Sequence, residues 1–252
     1  MKPYYEQDGI TIYHGDCMEV MPTLGQFDLA FTSPPYNLGV SSGGSFGGGG
    51  KWHGGALADG YADHDDAMDP AAYEDWQRAV LTELWEHVTG AIFYNHKPRV
   101  QSSTLWTPLA LNPGLPLRQI IIWARAGGVN FAPTHYLPTS EWIMVMARPE
   151  WRLKNKGASG VGDVWRVNQE SDTEHPAPFP IGLPSRAIES VGPTSVIDPF
   201  MGSGTTLRAA LDAGIRATGI ELSEAYCEIA AKRLAQGAFD LRPPADTEAS
   251  DG

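Results

Sequence analysis

Two short segments combine residue types that bind ligands with residues that end a strand. In the first, Ser33-Pro34-Pro35-Tyr36, two prolines follow closely on the apolar run 27–31. Proline cannot donate to a β-ladder and fixes its own φ, so a strand over this run has to end here. The sequence therefore predicts a rigid turn that presents a serine hydroxyl, proline carbonyls and a tyrosine ring at the end of a strand.

The second segment, DPFMGSGTT (198–206), follows the apolar run 195–197 and precedes a helical pattern. Strand, glycine turn and helix in this order are typical of nucleotide-binding units, because glycines let the backbone approach a ligand and a helix N-terminus favours a negative group. Glu221 ends the next strand-like run, where such folds bind ribose hydroxyls. The alternative for Glu221 is a helix N-terminal carboxylate beside Ser223. The candidates for a nucleoside cofactor are Asp198, Phe200, Gly202, Ser203, Gly204, Thr205, Glu221 and Leu222.

Strand-like and helix-like runs alternate along the chain, so both turns belong to a larger unit. We expect a single domain over residues 1–252 with an α/β fold and a mostly parallel sheet. Helices are expected near three runs: 70–88, 204–213 and 223–236. Seven strands are expected in the sheet: 9–14, 27–32, 90–95, 118–124, 141–147, 195–200 and 217–222.

Three segments do not fit the sheet. Residues 38–60 contain ten glycines in 23 positions, and such a stretch cannot bury enough apolar surface to order itself. The pattern predicts a mobile loop, 38–69, that acts as a lid. Residues 149–180, basic at first and then Pro-rich, predict a surface insertion, and residues from about 241 to 252 are expected to be disordered.

Composition limits the class of protein. No apolar run reaches the length of about 18 residues that crosses a bilayer, and residues 1–9 lack the apolar core of a signal peptide. Cys17 and Cys227 are too few for a disulfide framework or a zinc site, and the seven histidines show no ligand spacing. A cytoplasmic protein without a metal or a membrane is therefore expected.

The formal net charge of −12 argues against nucleic acid as a ligand, but the charge is unevenly distributed. Residues 59–75 hold seven acids and no Lys or Arg, whereas residues 87–140 hold four Lys or Arg and no acid. A basic face on an acidic protein is compatible with DNA binding. The alternative is scattered, solvated charge.

TSPPY, DPFMGSGTT and the Glu-Leu pair after the next strand together resemble the amino-methyltransferases that methylate an exocyclic amine of a DNA base. The resemblance spans roughly residues 9–236 and implies a Rossmann-like fold that depends on S-adenosylmethionine. Because SPPY precedes the glycine motif, the motif order resembles the circularly permuted β group of the family. Asp16 and Cys17 are then expected at the cofactor's adenine, with a helix cap as the alternative for Asp16. HPAPFP, with His175 and Phe179, is expected at its methionine end, where many relatives carry lysine in place of Phe179.

The resemblance implies that the SPPY motif is a site for an amine. A ring amine is a poor nucleophile because its lone pair is delocalised, and acceptors for both of its hydrogens draw the nitrogen towards tetrahedral geometry. Ser33 Oγ and the Pro34 carbonyl are the expected acceptors, held rigidly by Pro34 and Pro35, and Tyr36 is expected to stack on a base that has left the duplex.

Serine at the first motif position favours cytosine N4 over adenine N6, which remains the alternative. Two further alternatives are a protein glutamine methyltransferase and a catalytically inactive homologue. Double-stranded DNA is the expected partner, read by a target-recognition insertion at about 149–172. A homodimer, a cognate restriction endonuclease and a location at a prokaryotic or phage nucleoid are also expected. The residues expected to face the DNA are Arg99, Arg125, Arg152, Lys154 and Lys156.

Overall fold

A mixed β-sheet forms the centre of the protein in a computed structural model that describes residues 1–37, 68–101, 103–125, 133–155, 157–168 and 179–240. The strands within these ranges are β1 (Tyr5–Gln7), β2 (Ile10–His14), β3 (Phe27–Thr32), β4 (Val88–His96), β5 (Arg99–Gln101), β6 (Thr104–Trp106), β7 (Leu117–Ala124), β8 (Ser140–Ala147), β9 (Val164–Arg166), β10 (Ser195–Asp198) and β11 (Arg216–Glu221). Among the described residues, nine strands form one sheet in the order β1-β2-β11-β10-β3-β4-β8-β7-β9, while β5 pairs with β6.

Strand direction divides the sheet into two edges. Strands β2, β11, β10, β3 and β4 run parallel to one another, whereas β8 is antiparallel to both of its neighbours and β1 is antiparallel to β2. The parallel strands therefore end along one side, at Thr32, His96, Asp198 and Glu221, which we call the carboxyl edge. The opposite side, where β3 begins at Phe27, is the amino edge.

Helices cover both faces of the sheet. They are α1 (Cys17–Val20), α2 (Pro70–His87), α3 (Gly182–Val191), α4 (Thr205–Asp212) and α5 (Glu224–Asp240). Alternate residues of a strand point to opposite faces, so Phe31 packs in one core with Leu207 of α4, whereas Ala30 lies in a second core with Leu84 of α2. Helices α3, α4 and α5 cover the first face, and α1 and α2 cover the second.

The expected α/β architecture with a mostly parallel sheet is confirmed. All seven expected strands lie in the sheet, and the two additional ones, β1 and β9, are three residues long and stand at its edges. Helices α1 and α3 lie outside the expected runs. The four residues of α1 are too few for a period, and α3 begins with Gly-Leu-Pro, a sequence more typical of a turn.

The segment 149–172, expected as a surface insertion, is partly built into the sheet. Its residues 164–166 form β9, which pairs in parallel with β7, and Trp165 is buried in the first core. Its residues 169–172 lie outside the described residues, as does the expected disordered tail, 241–252.

The expected mobile loop, 38–69, is described only at its boundaries, since residues 38–67 lie outside the described residues. On one side, the Asn37 amide donates to the carbonyl of Met68 at 3.0 Å. Asp69 then accepts from the first backbone N–H groups of α2 as its N-cap. The two ends of this segment are therefore held together beside the carboxyl edge.

Strands β3 and β4 approach closely at the amino edge. Their register shifts between Phe27 and Leu29, opposite the start of β4. A Cβ atom on Gly90 would lie 2.3 Å from the carbonyl oxygen of Asp28. Glycine is required at this position because any side chain would displace the irregular strand beside it.

We expect Gly90→Ala to destabilise the protein by about 1–3 kcal/mol, because the backbone at Asp28 must move to admit a methyl group. Gly25→Ala is the matched control, since nothing lies within 4 Å of a Cβ built there. Urea unfolding followed by circular dichroism compares the two variants. A wild-type midpoint for Gly90→Ala would contradict the close approach.

Candidate active site

The segments singled out from the sequence meet at the carboxyl edge because they follow parallel strands. The SPPY turn (Ser33–Tyr36) follows β3, the glycine turn (199–204) follows β10, and Glu221 ends β11. Asn95 lies near the end of β4, and Glu141 lies near the start of the antiparallel strand β8. This edge is where open α/β sheets bind their ligands.

A network of hydrogen bonds passes through the SPPY turn. The Tyr36 hydroxyl donates to Oε2 of Glu141 at 2.9 Å and lies 2.9 Å from Ser33 Oγ. Nδ2 of Asn95 lies 2.6 Å from Tyr36 Oη, 3.1 Å from Glu141 Oε2 and 3.3 Å from Ser33 Oγ. Four polar side chains from the turn, β4 and β8 therefore hold one another in place.

Positive charge surrounds the buried carboxylate of Glu141. Its side chain is 6% exposed, and Oε1 lies 3.1 Å from Nη1 of Arg125. Lys97 interacts electrostatically with both Arg125 and Glu141. Burial and then the charge of Arg125 lower the pKa of Lys97, the charge of Glu141 raises it, and the net pKa is lowered. A buried carboxylate needs such partners, because leaving it unpaired would be strongly destabilising.

Tyr73 and His96 hold the backbone of the SPPY turn from the other side. The Tyr73 hydroxyl donates to the Pro35 carbonyl at 2.8 Å and lies 2.8 Å from Nε2 of His96. Burial lowers the pKa of His96 to about 3, so the imidazole is neutral and its single N–H faces either Tyr73 Oη or the Lys97 carbonyl, which lies 3.2 Å from Nδ1. The Tyr36 ring packs against this imidazole at a centroid distance of 4.5 Å and an interplanar angle of 34°.

Arg99 holds the end of the SPPY turn. Its Nη1 donates to the carbonyl of Tyr36, and its guanidinium lies over Trp106, 4.4 Å from the ring centroid. Trp106 in turn donates its indole N–H to Glu74 of α2 at 2.8 Å. The turn is therefore made rigid by side chains as well as by its two buried prolines, which is the preorganisation that a reacting group needs.

The glycine turn supplies the second half of the site. Gly202 N–H donates to Glu221 Oε2 at 3.0 Å, and Ser223 N–H donates to Oε1 at 2.9 Å, so two backbone groups orient the carboxylate. The contact with Ser223 is the one anticipated for a helix N-terminal carboxylate. Gly202 has φ +53°, and a Cβ built on it would meet no atom of the described residues within 4 Å. Within that part of the chain, the turn leaves open space at Gly202, next to Glu221, which we call the cradle.

Asp198 holds the glycine turn in place through hydrogen bonds within the protein. Its carboxylate is fully buried, accepts from the hydroxyls of Thr32 and Thr206 at 2.7 Å each, and accepts from Phe200 N–H at 3.1 Å. Burial raises its pKa to about 6, although all three donors act in the opposite direction. Asp198 therefore joins β3, the glycine turn and α4, and its expected contact with the cofactor stays a prediction.

The other predicted cofactor residues near the glycine turn differ in exposure. Leu222 is 41% exposed at the rim of the cradle, and Phe200 is half-buried. Ser203 and Thr205 are buried. Gly204 precedes α4 with φ +82°, and a Cβ there would lie 3.1 Å from that of Ala230, so this glycine lets α4 and α5 pack closely. Leu222 and Phe200 are thus the accessible side chains of this set, and the cofactor contacts of the whole set stay a prediction.

The candidates outside the glycine turn have mainly structural contacts. Asp16 accepts from a backbone N–H at 2.7 Å and caps α1, which was the alternative for this residue. Cys17 is buried, and burial raises its pKa to about 12. Phe179 packs against Phe31 at a centroid distance of 5.5 Å, and His175 lies outside the described residues.

The predicted DNA-facing cations fall into two groups. Arg99 and Arg125 lie at the carboxyl edge, where both contact the site itself. Lys154 lies at the amino edge, where Nζ donates to the carbonyl just after α3 at 3.0 Å, and Arg152 donates to two carbonyls of its own segment at 2.7 Å. These two therefore lie at the opposite edge of the sheet from the SPPY turn, and the expected contacts of these cations with DNA stay a prediction. Lys156 lies outside the described residues.

Four side chains of the site lie inside elements that the hydrophobic pattern assigns to the core: Tyr73, Asn95, His96 and Glu141. Glu141 does carry a signal, because it is the only acid between residues 87 and 149 and it begins an apolar run. A charge in a buried strand is retained only when it is paired. The other three carry no comparable signal in a single sequence.

The described part of the chain contains neither a candidate metal site nor a candidate membrane-spanning helix. There, no group of three or more His, Cys, Asp or Glu side chains is arranged to hold a metal ion. No helix in those ranges has both the length and the apolar character needed to cross a bilayer. Cys17 and Cys227 are buried thiols.

We expect Asp198→Asn to gain stability relative to the wild type as the pH rises from below the ordinary aspartate pKa to above the folded value of about 6. The folded pKa lies above the unfolded one, so ionisation of Asp198 opposes folding through this window, and asparagine cannot ionise. Its amide retains an acceptor for Thr32 and a donor for Thr206. Thermal unfolding of both proteins at the two pH extremes measures the effect.

Asp28→Asn is the control with the opposite sign. Burial raises the pKa of Asp28, but hydrogen bonds from Thr194 outweigh burial, and the net pKa is lowered. Its carboxylate therefore contributes stability above the unfolded pKa, and Asp28→Asn should lose stability as the pH rises. A pH-independent difference between Asp198→Asn and wild type would contradict the assignment for Asp198.

Known proteins share both the sequence pattern and the fold. The profile of the DNA methylase family N6_N4_Mtase matches residues 27–232. The Type II methyltransferase M.ScaI of Streptomyces caespitosus is 27% identical over 95% of this chain and 86% of its own.

Among solved structures, the PvuII DNA methyltransferase (cytosine-N4-specific) superposes with a TM-score of 0.70 over 97% of this chain and 90% of its own, at 16% identity. The putative DNA modification methylase TTHA0409 of Thermus thermophilus, solved in complex with S-adenosyl-L-methionine, gives 0.61 over 89% and 93%, at 22% identity. These similarities show a shared fold. Because the family profile covers most of the sequence, the chain belongs to the N6/N4 family of DNA methylases, which methylate an exocyclic amine of a DNA base.

Proposed function

We propose that this protein methylates the N4 amine of cytosine at a specific sequence in double-stranded DNA, with S-adenosylmethionine as the methyl donor. The observation that carries the proposal is Ser33, an uncharged acceptor at the first motif position, 2.9 Å from Tyr36 Oη. Serine at this position favours cytosine N4 in the family, and aspartate favours adenine N6. Adenine N6 is the alternative, since the same acceptors would serve either amine.

The SPPY turn has the features that an amine acceptor site needs. Ser33 Oγ and the Pro34 carbonyl are the proposed acceptors for the two amine hydrogens, on a turn that Tyr73 and Arg99 hold from both sides. Tyr36, whose ring packs against the His96 imidazole, is the proposed stacking partner of a base that has left the duplex. Positioning of this kind supplies much of the rate in a group transfer.

The cradle fits the cofactor that the family uses. Glu221 directs a carboxylate to the open space beside Gly202, as a ribose diol requires, and Leu222 and Phe200 supply apolar surface at its rim. S-adenosylmethionine supplies a methyl group on a sulfonium, and the protein has to hold that methyl group in line with the amine. The short path from the cradle to the SPPY turn, bridged by Asp198 and Thr32, supports this arrangement.

The proposal includes partners as well as chemistry. DNA approaches the carboxyl edge, residues 38–69 act as a lid, and residues 149–172 take part in target recognition. Supporting this last role, Arg166 ends β9 next to Ala124 at the carboxyl edge and is exposed. A homodimer, a cognate restriction endonuclease and a cytoplasmic, nucleoid-associated location complete the proposal. A catalytically inactive homologue is disfavoured because the polar network around Ser33 is intact.

Identification of the methylated nucleoside tests the base assignment. Purified protein is incubated with methyl-labelled S-adenosylmethionine and mixed DNA, the DNA is digested to nucleosides, and the labelled product is identified by mass spectrometry. We expect N4-methylcytosine, and no labelled base with Ser33→Ala. N6-methyladenine would overturn the choice of base, and label on protein alone would overturn the proposed substrate.

We expect Gly202→Ala to weaken binding of S-adenosylmethionine by about tenfold or more, which is about 1.4 kcal/mol, because its Cβ would project into the cradle. Gly214→Ala is the matched control: its φ is +68° against +53° for Gly202, and neither Cβ would meet an atom within 4 Å. Gly214 lies after α4, at the amino edge, so the backbone strain is similar but the ligand space is untouched. Calorimetry showing equal affinities for the two variants would contradict the cradle.

A further inference from the structure

We propose that Glu141 is a positioning residue for methyl transfer: acting through Tyr36, it keeps Ser33 Oγ free to accept from the target amine and takes up the proton that the amine loses. The inference rests on the proposed role of Ser33 and extends it to a side chain 105 residues away from Tyr36 in sequence. Its basis is the direction that a carboxylate imposes on the hydrogen bonds around it.

The direction of the hydrogen bonds follows from donor and acceptor inventories. An ionised carboxylate only accepts, so at 2.9 Å the Tyr36 hydroxyl has to donate to Glu141 Oε2. Tyr36 Oη is then an acceptor for its other partners. The Ser33 hydroxyl, 2.9 Å away, therefore donates to Tyr36, and its oxygen keeps lone-pair capacity for the amine. Without the carboxylate, Tyr36 could donate to Ser33 and occupy that capacity.

The carboxylate is held firmly enough to impose this order. Glu141 is 4% exposed, and its other oxygen is paired with Nη1 of Arg125 at 3.1 Å. Among the described residues, the charged or titratable groups that face it are Arg125 directly after β7, Lys97 after β4, and Tyr36 itself. Asn95 contributes a neutral donor from β4 at 3.1 Å. The ion pair with Arg125 and the hydrogen bond from Asn95 hold the carboxylate in the place that the inference requires.

The hydrogen bonds from Ser33 through Tyr36 to Glu141 also provide an acceptor for the proton that the amine loses. The amine nitrogen uses its lone pair to form the bond to the methyl carbon, and the carbon–sulfur bond breaks with its electron pair left on sulfur. The nitrogen then carries a positive charge and releases one proton to Ser33 Oγ, while the Ser33 proton passes to Tyr36 and the Tyr36 proton passes to Glu141. The products are a neutral methylamine, two regenerated hydroxyls and a carboxylic acid, which returns its proton to water.

Single-turnover methyl transfer tests the inference in the full-length protein, with cofactor bound and DNA added. We expect Glu141→Gln and Tyr36→Phe each to slow transfer by about 100-fold, as for loss of an acid–base group. Cofactor affinity should be unchanged in both. Because the two residues act in series, the double variant should be no slower than the slower single variant. The wild-type rate should fall as the pH is lowered, and the rate of Glu141→Gln should not.

Tyr94→Phe is the matched control for Tyr36→Phe. It removes a buried hydroxyl on β4 that donates to Gln77 at 2.6 Å, outside the chain of hydrogen bonds. We expect Tyr94→Phe to keep the wild-type rate and pH profile of methyl transfer, even where its thermal stability is lower than that of the wild type. If Glu141→Gln fails to fold, Tyr36→Phe decides the question by the same rate and pH measurements.

The outcomes separate the inference from the proposed function. Wild-type rates and pH profiles in Tyr36→Phe and Glu141→Gln, with Ser33→Ala inactive, would overturn the role of Glu141 and leave Ser33 in place. Additive losses in the double variant would likewise overturn action in series. Failure of the wild-type protein to methylate any DNA amine would instead overturn the proposed function.

Discussion

The buried carboxylate of Asp198 connects the two turns on which the site is built. It accepts from Thr32, directly before the SPPY turn, and from Phe200 N–H and Thr206 in the glycine motif. The acceptors proposed for the amine and the cradle proposed for the methyl donor therefore keep a constant separation, which an in-line transfer requires. Since burial raises the Asp198 pKa to about 6, its ionisation opposes folding at neutral pH. The protein thus maintains this connection at a cost in stability.

The surroundings of Glu141, on the other side of the SPPY turn, also lower the stability of the protein. Around it, Oδ1 of Asn95 and Nε of Arg125 are buried without a hydrogen-bond partner among the described residues. Each such atom costs about 1–3 kcal/mol, and an apolar cluster of similar volume would be at least as stable as the Arg125–Glu141 pair. Stability therefore does not explain why β4, β7 and β8 bring polar side chains together here. The proposed role of Glu141 in orienting Ser33 and Tyr36 would explain it.

The sequence predicts the parts of the site that lie on local turns and misses the parts that depend on strand pairing. SPPY and the glycine motif are recognisable because prolines and glycines determine the backbone within a few residues. Asn95 and Glu141 are 46 residues apart and meet only because β8 pairs antiparallel to β4, with His96 opposite Trp142. Local periodicity carries no information about that pairing. For the same reason, the count of basic residues could not show that Lys154 lies at the amino edge.

The positions of the cations change how an acidic protein has to approach DNA. At the carboxyl edge, Arg125 is paired with Glu141, and Arg99 is bound to the SPPY backbone, so neither is available as a freely placed phosphate ligand. Arg152 and Lys154 lie at the opposite edge. With a net charge of −12, long-range attraction to phosphate is weak. If DNA binds at the carboxyl edge as proposed, its affinity has to come mainly from short-range contacts there, and capture of the base would contribute more than contacts with the duplex backbone.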